Sequence, residues 1–351
     1  MRPIISVLLA VSVCTSASIA EERIDKKEAN PATFYTQTAE ALLPLGKERK
    51  SLLRDIASGS VDYQHKALVG LDIELSKALL LKASESAAPC DWRLAWEDGL
   101  GMSASHLTEM VDLSTISLVI AEARFSEGKV AEGIQMLMVA HHIARDAGAG
   151  DLLIGNVTQN SIEQNVVKAV ARHCLKWNDS IRAEYARKFE ALPELHKLHD
   201  AYANEEKMIE WIEVQLLKDP ASIEEQFGKQ AVEEGIDFAE VMFGLALCRG
   251  MIDDAVSALK LDGEAREKAI EEFDAKYQSS ENMLVKIFMP NLAGVARAED
   301  RVAASHDMLR LALEHGPEMD GKSVEHPLEF SKTDYGYELS FDEDSGIQFH
   351  K

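Results

Sequence analysis

The sequence is short of basic residues, aromatic residues and proline, and each shortage excludes something. Its 351 residues contain 37 Lys and Arg against 60 Asp and Glu, which leaves a formal net charge of −23. An acidic surface repels the phosphates of nucleic acids and of anionic membranes, so we expect neither as a partner. Nine prolines and 6% aromatic residues favour helix over sheet. Apolar residues still make up 46% of the chain, which is ample for a buried core.

Long apolar runs are scarce too, and the most pronounced one lies at the N-terminus. Arg2 precedes an apolar run over Ile4–Val13, and Ser18-Ile19-Ala20 places small residues at the −3 and −1 positions of a cleavage site. This layout predicts a signal peptide over residues 1–20. We therefore expect an exported protein, either periplasmic or secreted.

No membrane span is expected in the mature chain. The leader run is too short for the roughly 20 residues that a permanent helix needs to cross hydrocarbon, and no later stretch approaches that length. Cys14 raises a lipoprotein alternative, but Val13 is larger than the residue that usually precedes a lipidated cysteine. Soluble export is the preferred interpretation.

Three cysteines remain after cleavage, namely Cys90, Cys174 and Cys248. An exported compartment permits one disulfide and leaves one thiol over. Cys248 lies in an apolar helical run, which is typical of a small buried hydrophobe, so Cys90 and Cys174 are the candidate pair. No nearby base marks any of the three as a catalytic thiol, and we expect structural roles.

From about residue 32 to residue 314, apolar side chains recur at the three- and four-residue spacing of amphipathic helices. We therefore predict an all-α fold, an irregular α/α helical stack over residues 21–320. Gly and Pro separate the predicted helices, which cover residues 60–84, 104–126, 130–146, 150–176, 193–217, 221–234, 236–260, 263–278 and 281–314.

The middle of the stack contains one partial repeat. Ala121, Gly128, Gly133, Leu137 and Ala140 fall near the small and apolar positions of a tetratricopeptide (TPR) hairpin. The tyrosine and proline positions of that repeat do not match, and the pattern does not continue downstream. We predict two antiparallel helices in close contact with TPR-like packing, and no solenoid.

The C-terminal residues 321–351 follow a different pattern. Leu328-Glu329-Phe330 and the run 337–341 alternate apolar and polar residues, which is typical of half-buried strands, and Ile347-Gln348-Phe349 adds a third short run. This predicts a small β-hairpin or three-stranded meander. Because two short strands alone are marginally stable, the tail should pack on the helices.

Three stretches carry a family resemblance. They are Cys90-Asp91-Trp92 with Glu97-Asp98-Gly99, the hairpin Ala121–Gly148, and the Ala/Leu/Arg-rich stretch Pro290–Leu313. Together they resemble an uncharacterised family of exported α-helical proteins from planctomycete-type bacteria, over most of residues 60–341. The resemblance implies export and a helical fold with a short β tail similar to the C-terminal strands of type II secretion pseudopilins. It implies no activity.

The chain departs from that family's pattern near its tail. His315-Gly316-Pro317 is a shortened linker, and His326-Pro327-Leu328 replaces the usual Asp-Pro and glycine. These changes argue against the calcium site of pseudopilin tails. The charged residues Glu21-Glu22-Arg23 after the leader argue against a pilin role.

The sharpest metal candidate is the segment 194–200. His196 and His199 are three residues apart, which places them on one face of a helix, and Asp200 can add an oxygen ligand. Two imidazoles and one acid need a further ligand from elsewhere, and the segment lacks the glutamate of His-Glu-x-x-His hydrolases. A solvated helix surface is the preferred interpretation, and no metal is expected.

His141 and His142 are adjacent and point about 100° apart, so one should pack inside and the other face water.

A predicted loop concentrates two of the four tryptophans with three acids, at Asp91, Trp92, Trp96, Glu97 and Asp98. Aromatic faces and carboxylates are what a sugar or peptide cleft uses, so this loop is the candidate binding surface. The structural alternative is that Trp92 fills the helix stack and Asp91 caps a helix. Glu97 and Asp98 are too close in sequence to oppose each other as a glycosidase pair.

The chain has no dinucleotide-binding glycine motif, P-loop, nucleophile elbow or zinc-finger cysteine pattern, so no cofactor and no catalytic residue is indicated. The preferred hypothesis is an exported, non-catalytic scaffold that binds a protein or peptide partner through an apolar groove rimmed by acids. The alternative is a metal-dependent hydrolase with a site assembled around His196 and His199. It predicts a closed pocket that holds both imidazoles and a third ligand.

Overall fold

The structure is a computed structural model that describes residues 29–42, 45–94, 104–150, 152–220, 237–289, 291–319, 324–325, 327–342 and 345–351. The expected signal peptide and the helix predicted at 221–234 lie outside these residues. No helix within the described part is long and apolar enough to cross a membrane. The described elements, twelve α-helices and three strands, are α1 (Pro31–Leu42), α2 (Lys47–Ser58), α3 (Ile73–Ser84), α4 (Ser105–Ser126), α5 (Val130–Gly148), α6 (Leu153–Ala171), α7 (Asp179–Glu190), α8 (Leu198–Lys218), α9 (Phe238–Leu259), α10 (Gly263–Ser279), α11 (Met283–Phe288), α12 (Leu292–His315), β1 (Glu329–Thr333), β2 (Gly336–Ser340) and β3 (Ile347–His350).

This architecture confirms the predicted mostly helical fold with a small C-terminal β element. The helix predicted over residues 60–84, however, is wrong in its first half. Helix α3 begins at Ile73, and the preceding residues hold only a short 3-10 helix at His65–Ala67. Asp72 sets the boundary, because its carboxylate accepts a hydrogen bond from the Leu75 backbone N–H at 3.1 Å and caps the helix.

The helix predicted over residues 281–314 is interrupted as well. Helix α11 ends at Phe288 and α12 begins at Leu292. The carboxylate of Asp274, on α10, accepts hydrogen bonds from the backbone N–H groups of Leu292 at 2.9 Å and of Ala293 at 3.1 Å. These donors have no partner within their own helix, so a contact distant in sequence stabilises the start of α12.

The buried apolar side chains form two hydrophobic cores. Helices α1–α7, the second half of α12 and the sheet build the larger core, whereas α8–α11 and the beginning of α12 build the smaller one. Leu292 and Ala296 of α12 lie in the smaller core, and Met308, Leu309 and Ala312 lie in the larger one. Helix α12 therefore joins the two cores.

Helices α4 and α5 form the close pair that the sequence predicted. Gly133 lies so near Phe125 that a Cβ on residue 133 would be 2.5 Å from the Cε1 of that ring. Ala121 of α4 and Ala140 of α5 are fully buried. Helix α5 also packs extensively on α6. The TPR-like character of this packing stays a prediction.

The tail forms an antiparallel three-stranded meander in the order β1-β2-β3. Strand β1 pairs with β2 from Glu329 opposite Ser340 to Thr333 opposite Gly336. The meander packs on the helices as expected, because its buried side chains belong to the larger core, namely Tyr337, Leu339, Ile347 and Phe349.

Gly336 is the position where the sheet tolerates no side chain. Its φ is +153°, and a Cβ there would lie 2.0 Å from the carbonyl oxygen of Phe349 on the paired strand. We expect Gly336→Ala to lower the free energy of unfolding by about 1–3 kcal/mol in urea denaturation of residues 21–351. The control is Gly250→Ala in α9, where an added Cβ meets nothing within 4 Å. Equal stabilities for the two variants would contradict this account.

Candidate functional site

A cleft of about 360 Å³ opens beside the middle of α12. Its walls come from the end of α7, from the extended segment 192–197 and from α12 between Glu299 and Arg310. Apolar and charged side chains share the lining. The apolar ones include Phe189, Leu192, Val302 and Ala303, and the charged ones include Arg145, Glu190, Glu194, Lys197 and Arg310.

A buried carboxylate lies under this cleft. Glu163 of α6 is fully buried, and its Oε1 accepts hydrogen bonds from Nδ1 of His141 at 2.8 Å and from Nε2 of His306 at 2.7 Å. Its Oε2 accepts a hydrogen bond from Nη1 of Arg145 at 3.1 Å. His141 and Arg145 are four residues apart on α5 and therefore share one helix face. Three helices thus meet at one carboxyl group, which with His141, Arg145 and His306 forms the cluster that we call the Glu163 hub.

The hub has a defined protonation state. Burial alone would raise the pKa of Glu163, but its hydrogen bonds to His141 and His306 and the charge of Arg145 outweigh it and hold that pKa well below its usual value. Burial lowers the pKa of His141 despite the neighbouring carboxylate. Glu163 is therefore ionised and His141 neutral at pH 7. The Nδ1–H of His141 then donates to Glu163, and its Nε2 accepts the Tyr185 hydroxyl proton at 2.9 Å.

Hydrogen bonds from the helices hold the extended wall of the cleft in place. Arg145 Nε donates to the carbonyl oxygen of Pro193 at 2.6 Å. The side chains of Asn156 and Gln159 donate to the carbonyl oxygen of His196 at 2.7 and 3.0 Å, and Gln159 accepts from the His196 backbone N–H at 3.0 Å. These bonds take up backbone groups that a helix would use. The helix predicted from residue 193 therefore begins only at Leu198.

This wall changes the placement of the candidate metal ligands His196 and His199. His196 lies in the extended segment and lines the cleft, whereas His199 lies in the first turn of α8. The two imidazoles therefore do not share a helix face, and the expectation that they do is wrong. His199 Nε2 is 3.5 Å from an oxygen of Asp200. Among the described residues, no group of three or more His, Cys, Asp or Glu side chains is arranged to hold a metal ion.

The structure describes only part of the predicted binding loop. Asp91 and Trp92 are described, whereas Trp96, Glu97 and Asp98 lie outside the described residues. The indole of Trp92 is half-buried, stacks on His106 with ring centroids 4.6 Å apart, and donates to the carbonyl oxygen of Asp146 at 2.7 Å. Asp91 accepts a hydrogen bond from the Arg93 backbone N–H, so it caps a turn and not a helix. Trp92 thus packs against the helices.

The carboxyl group of Asp146 lies in the same cluster. Tyr35 donates its hydroxyl proton to Asp146 Oδ2 at 2.6 Å. Burial raises the pKa of Asp146 to about 6, because removal from water disfavours the charged form more than the Tyr35 hydrogen bond favours it. This side chain is therefore a titratable group of the helix stack.

The expected Cys90–Cys174 disulfide is not formed in the structure, where Cys90, Cys174 and Cys248 are free, buried thiols. Cys90 lies near Tyr35 and Asp146, whereas Cys174 lies near Tyr185 and the tail. The two thiols thus occupy different parts of the larger core. Burial raises the pKa of Cys174 to about 12, which agrees with the expected structural role.

A second depression, of about 770 Å³, lies where the tail meets α12, and we call it the tail groove. Apolar side chains and four carboxylates line it together, and we call these carboxylates its rim acids. The apolar lining residues are Ala303, Ala304, Leu311, Pro327, Leu328 and Phe341, and the acidic ones are Glu267, Asp300, Asp307 and Glu325. Arg310 is the basic residue in its lining.

Sequence reasoning missed most of the Glu163 hub. It placed one of His141 and His142 inside and the other facing water, and the structure has His141 fully buried and His142 half-buried. It did not single out Glu163 or His306. The available signal was weak, because an acid among the apolar residues of α6 marks a buried polar group but does not reveal its partners.

Comparison with known proteins identifies no relative. No family model, no curated protein and no solved structure matches the chain. The resemblance to exported planctomycete proteins stays a prediction. The case for a site therefore depends on the geometry of the described residues.

We expect the loss of the Glu163 carboxylate to destabilise the folded protein. In Glu163→Ala, Arg145 remains buried without its carboxylate, and we expect the free energy of unfolding to fall by about 3–5 kcal/mol. Glu163→Gln keeps an acceptor and a similar shape, so its loss should be smaller. Urea denaturation of both variants measures the difference. A loss below about 1 kcal/mol in the alanine variant would contradict a structural hub.

Asp146 should make stability depend on pH. In the folded protein this carboxyl keeps its proton up to about pH 6, whereas in the unfolded chain it loses the proton near 3.8. Between these values the folded state binds more protons, so its stability falls as the pH rises, by about 3 kcal/mol from this group. We expect Asp146→Asn to lose less stability than the unmodified protein between pH 4 and pH 7. Parallel urea titrations at the two pH values measure this, and equal losses would refute the assignment.

Proposed function

We propose that this protein is an exported, non-catalytic helical scaffold that binds a peptide or protein partner in the tail groove. The observation that carries the proposal is that six apolar side chains line this groove together with four carboxylates. An apolar concave surface with a polar rim is typical of sites that bind a partner segment. The sequence pattern of the leader supports export.

The charge of the rim indicates the chemistry of the partner. Two rim acids are paired within the protein, since Asp300 bonds to Arg266 at 2.8 Å and Asp307 to Arg310 at 2.8 Å. Glu267 and Glu325 are exposed and have no ion-pair partner among the described residues. A segment with apolar residues flanked by Lys or Arg complements such a surface. We therefore expect a basic, amphipathic partner segment.

The metal-dependent hydrolase receives no support from the described residues. That alternative needs His196 and His199 in one pocket with a third ligand, but only His196 lines the cleft. The imidazoles lie on different elements, and the acid nearest to His199 is its own neighbour, Asp200. The scaffold is the better-supported function.

A panel of designed peptides tests the groove. Residues 21–351 are titrated with a fluorescent Leu/Lys peptide and with a matched peptide in which every Lys is Glu. We expect the basic peptide to bind with a micromolar Kd, near about −8 kcal/mol, and the acidic peptide to bind at least about tenfold more weakly. Equal binding of the two peptides, or no binding, would count against the proposal.

Paired charge reversals localise the site. The double variant Glu267→Lys and Glu325→Lys should bind the basic peptide about tenfold more weakly, because it lacks the two unpaired rim carboxylates. Its control is Glu271→Lys with Glu314→Lys, which changes the net charge equally at exposed positions outside the groove. If both double variants weaken binding to the same extent, the attraction is a property of the overall charge and the groove is not the site.

A further inference from the structure

Three helices can pack together without a buried charged cluster, so the charges of the Glu163 hub call for a further explanation. Glu163, His141 and Arg145 are buried together, and His306 is nearly so. Buried ion pairs add little stability over well-packed apolar side chains, because desolvation offsets most of their attraction. Arg145 and His306 also line the cleft. A charged cluster at the base of an open cleft is a frequent property of ligand sites.

Two donors of the hub remain for a ligand. The Arg145 side chain is 7% exposed, and its Nε and Nη1 are bonded to Pro193, His141 and Glu163. Its Nη2 has no hydrogen-bond partner within the part of the chain that the structure describes. His306 Nδ1 also has no partner there; Nε2 donates to Glu163 at 2.7 Å, so Nδ1 is a donor when the ring is in its imidazolium form. Both side chains are fixed by their other bonds, so a ligand would meet donors already in position.

The charges of the cleft are arranged by depth. Arg145 and His306 lie at its buried base, whereas Glu190, Glu194, Lys197 and Arg310 are exposed at its rim. Buried apolar side chains, among them Phe189 and Val302, also line the cleft. A volume of about 360 Å³ is at the small end of ligand pockets. The base suits an anionic group, because the remaining nitrogen of the guanidinium, Nη2, can donate a charge-assisted hydrogen bond to a carboxylate.

We propose that this cleft binds the carboxylate of an amino-acid-sized ligand, held at the base by Arg145 and His306. The carboxylate accepts hydrogen bonds from Arg145 Nη2 and from Nδ1–H of the His306 imidazolium, whose second proton is taken up with the ligand. An ammonium group of the ligand lies toward Glu190 and Glu194. A free amino acid and the C-terminal residue of a peptide present the same carboxylate. The cleft shares Ala303 and Arg310 with the tail groove, but neither residue holds the carboxylate, so this proposal does not depend on the proposed function.

Ligand titration tests the carboxylate. Residues 21–351 are titrated by calorimetry with each of the standard amino acids, with their C-terminal amides and with their N-acetyl derivatives. We expect at least one free acid to bind and its amide to bind at least tenfold more weakly. Tripeptides with free and amidated C-termini identify the source, because a preference for the free tripeptide over the amino acid indicates a peptide terminus. Equal affinity of acid and amide, or no binding by any compound, would overturn the proposal.

Substitutions in the cleft test which residues contact the ligand. Arg145→Lys keeps the charge but loses the fixed Nη2 donor, and it should weaken binding of the free acid at least tenfold. Because that variant also disturbs the hub, Leu195→Trp provides a second test, since it fills the cleft from the extended wall without touching the hub. Its control is Leu217→Trp, at an exposed position of α8 outside the cleft. Binding that survives Leu195→Trp, or is lost equally in Leu217→Trp, would show that the ligand binds elsewhere.

A separate experiment tests whether Glu190 and Glu194 lie near the ammonium group of the ligand. The double variant Glu190→Gln with Glu194→Gln should weaken free amino acids but leave N-acetyl derivatives unchanged, because only the former carry an ammonium group. If the double variant weakens both classes equally, the proposed orientation of the ligand is wrong.

Discussion

One buried carboxylate determines how the helices of this protein are arranged. Glu163 accepts hydrogen bonds from two residues of α5 and from one residue of α12, which is distant in sequence. The removal of a carboxylate from water is costly, and only the full set of donors offsets that cost. The three helices must therefore come together in one relative placement.

That placement sets the position of α12, and α12 in turn contributes to both hydrophobic cores and to both candidate sites. Its first turns complete the smaller core and its later turns complete the larger one. The cleft and the tail groove lie on neighbouring sides of its middle, and Ala303 and Arg310 line both of them. Arg310 also lies 5.9 Å from the centre of the Phe189 ring. The two candidate sites thus share one wall, which a single helix provides.

The site predictions from sequence failed where they relied on local spacing. The three-residue interval between His196 and His199 describes a metal site only if both residues lie on one helix. Hydrogen bonds from Asn156, Gln159 and Arg145 hold the first histidine in an extended segment instead. Trp92 belongs to a stacked cluster around Tyr35 and His106 and lies away from the cleft. Neither outcome could be read from neighbouring residues.

Local patterns in the amino-acid order were enough to predict several elements of this fold. Helical spacing of apolar residues predicted the hairpin of α4 and α5, and alternation predicted the strands, because each pattern follows from the geometry of a single element. The meeting of Glu163, His141, Arg145 and His306, in contrast, became visible only in the folded chain. These residues span 166 positions of the chain from His141 to His306, counting both ends, and their encounter depends on how three helices pack. The local periodicity of apolar residues indicates which face of a helix is buried. It does not indicate which buried polar groups bond to each other.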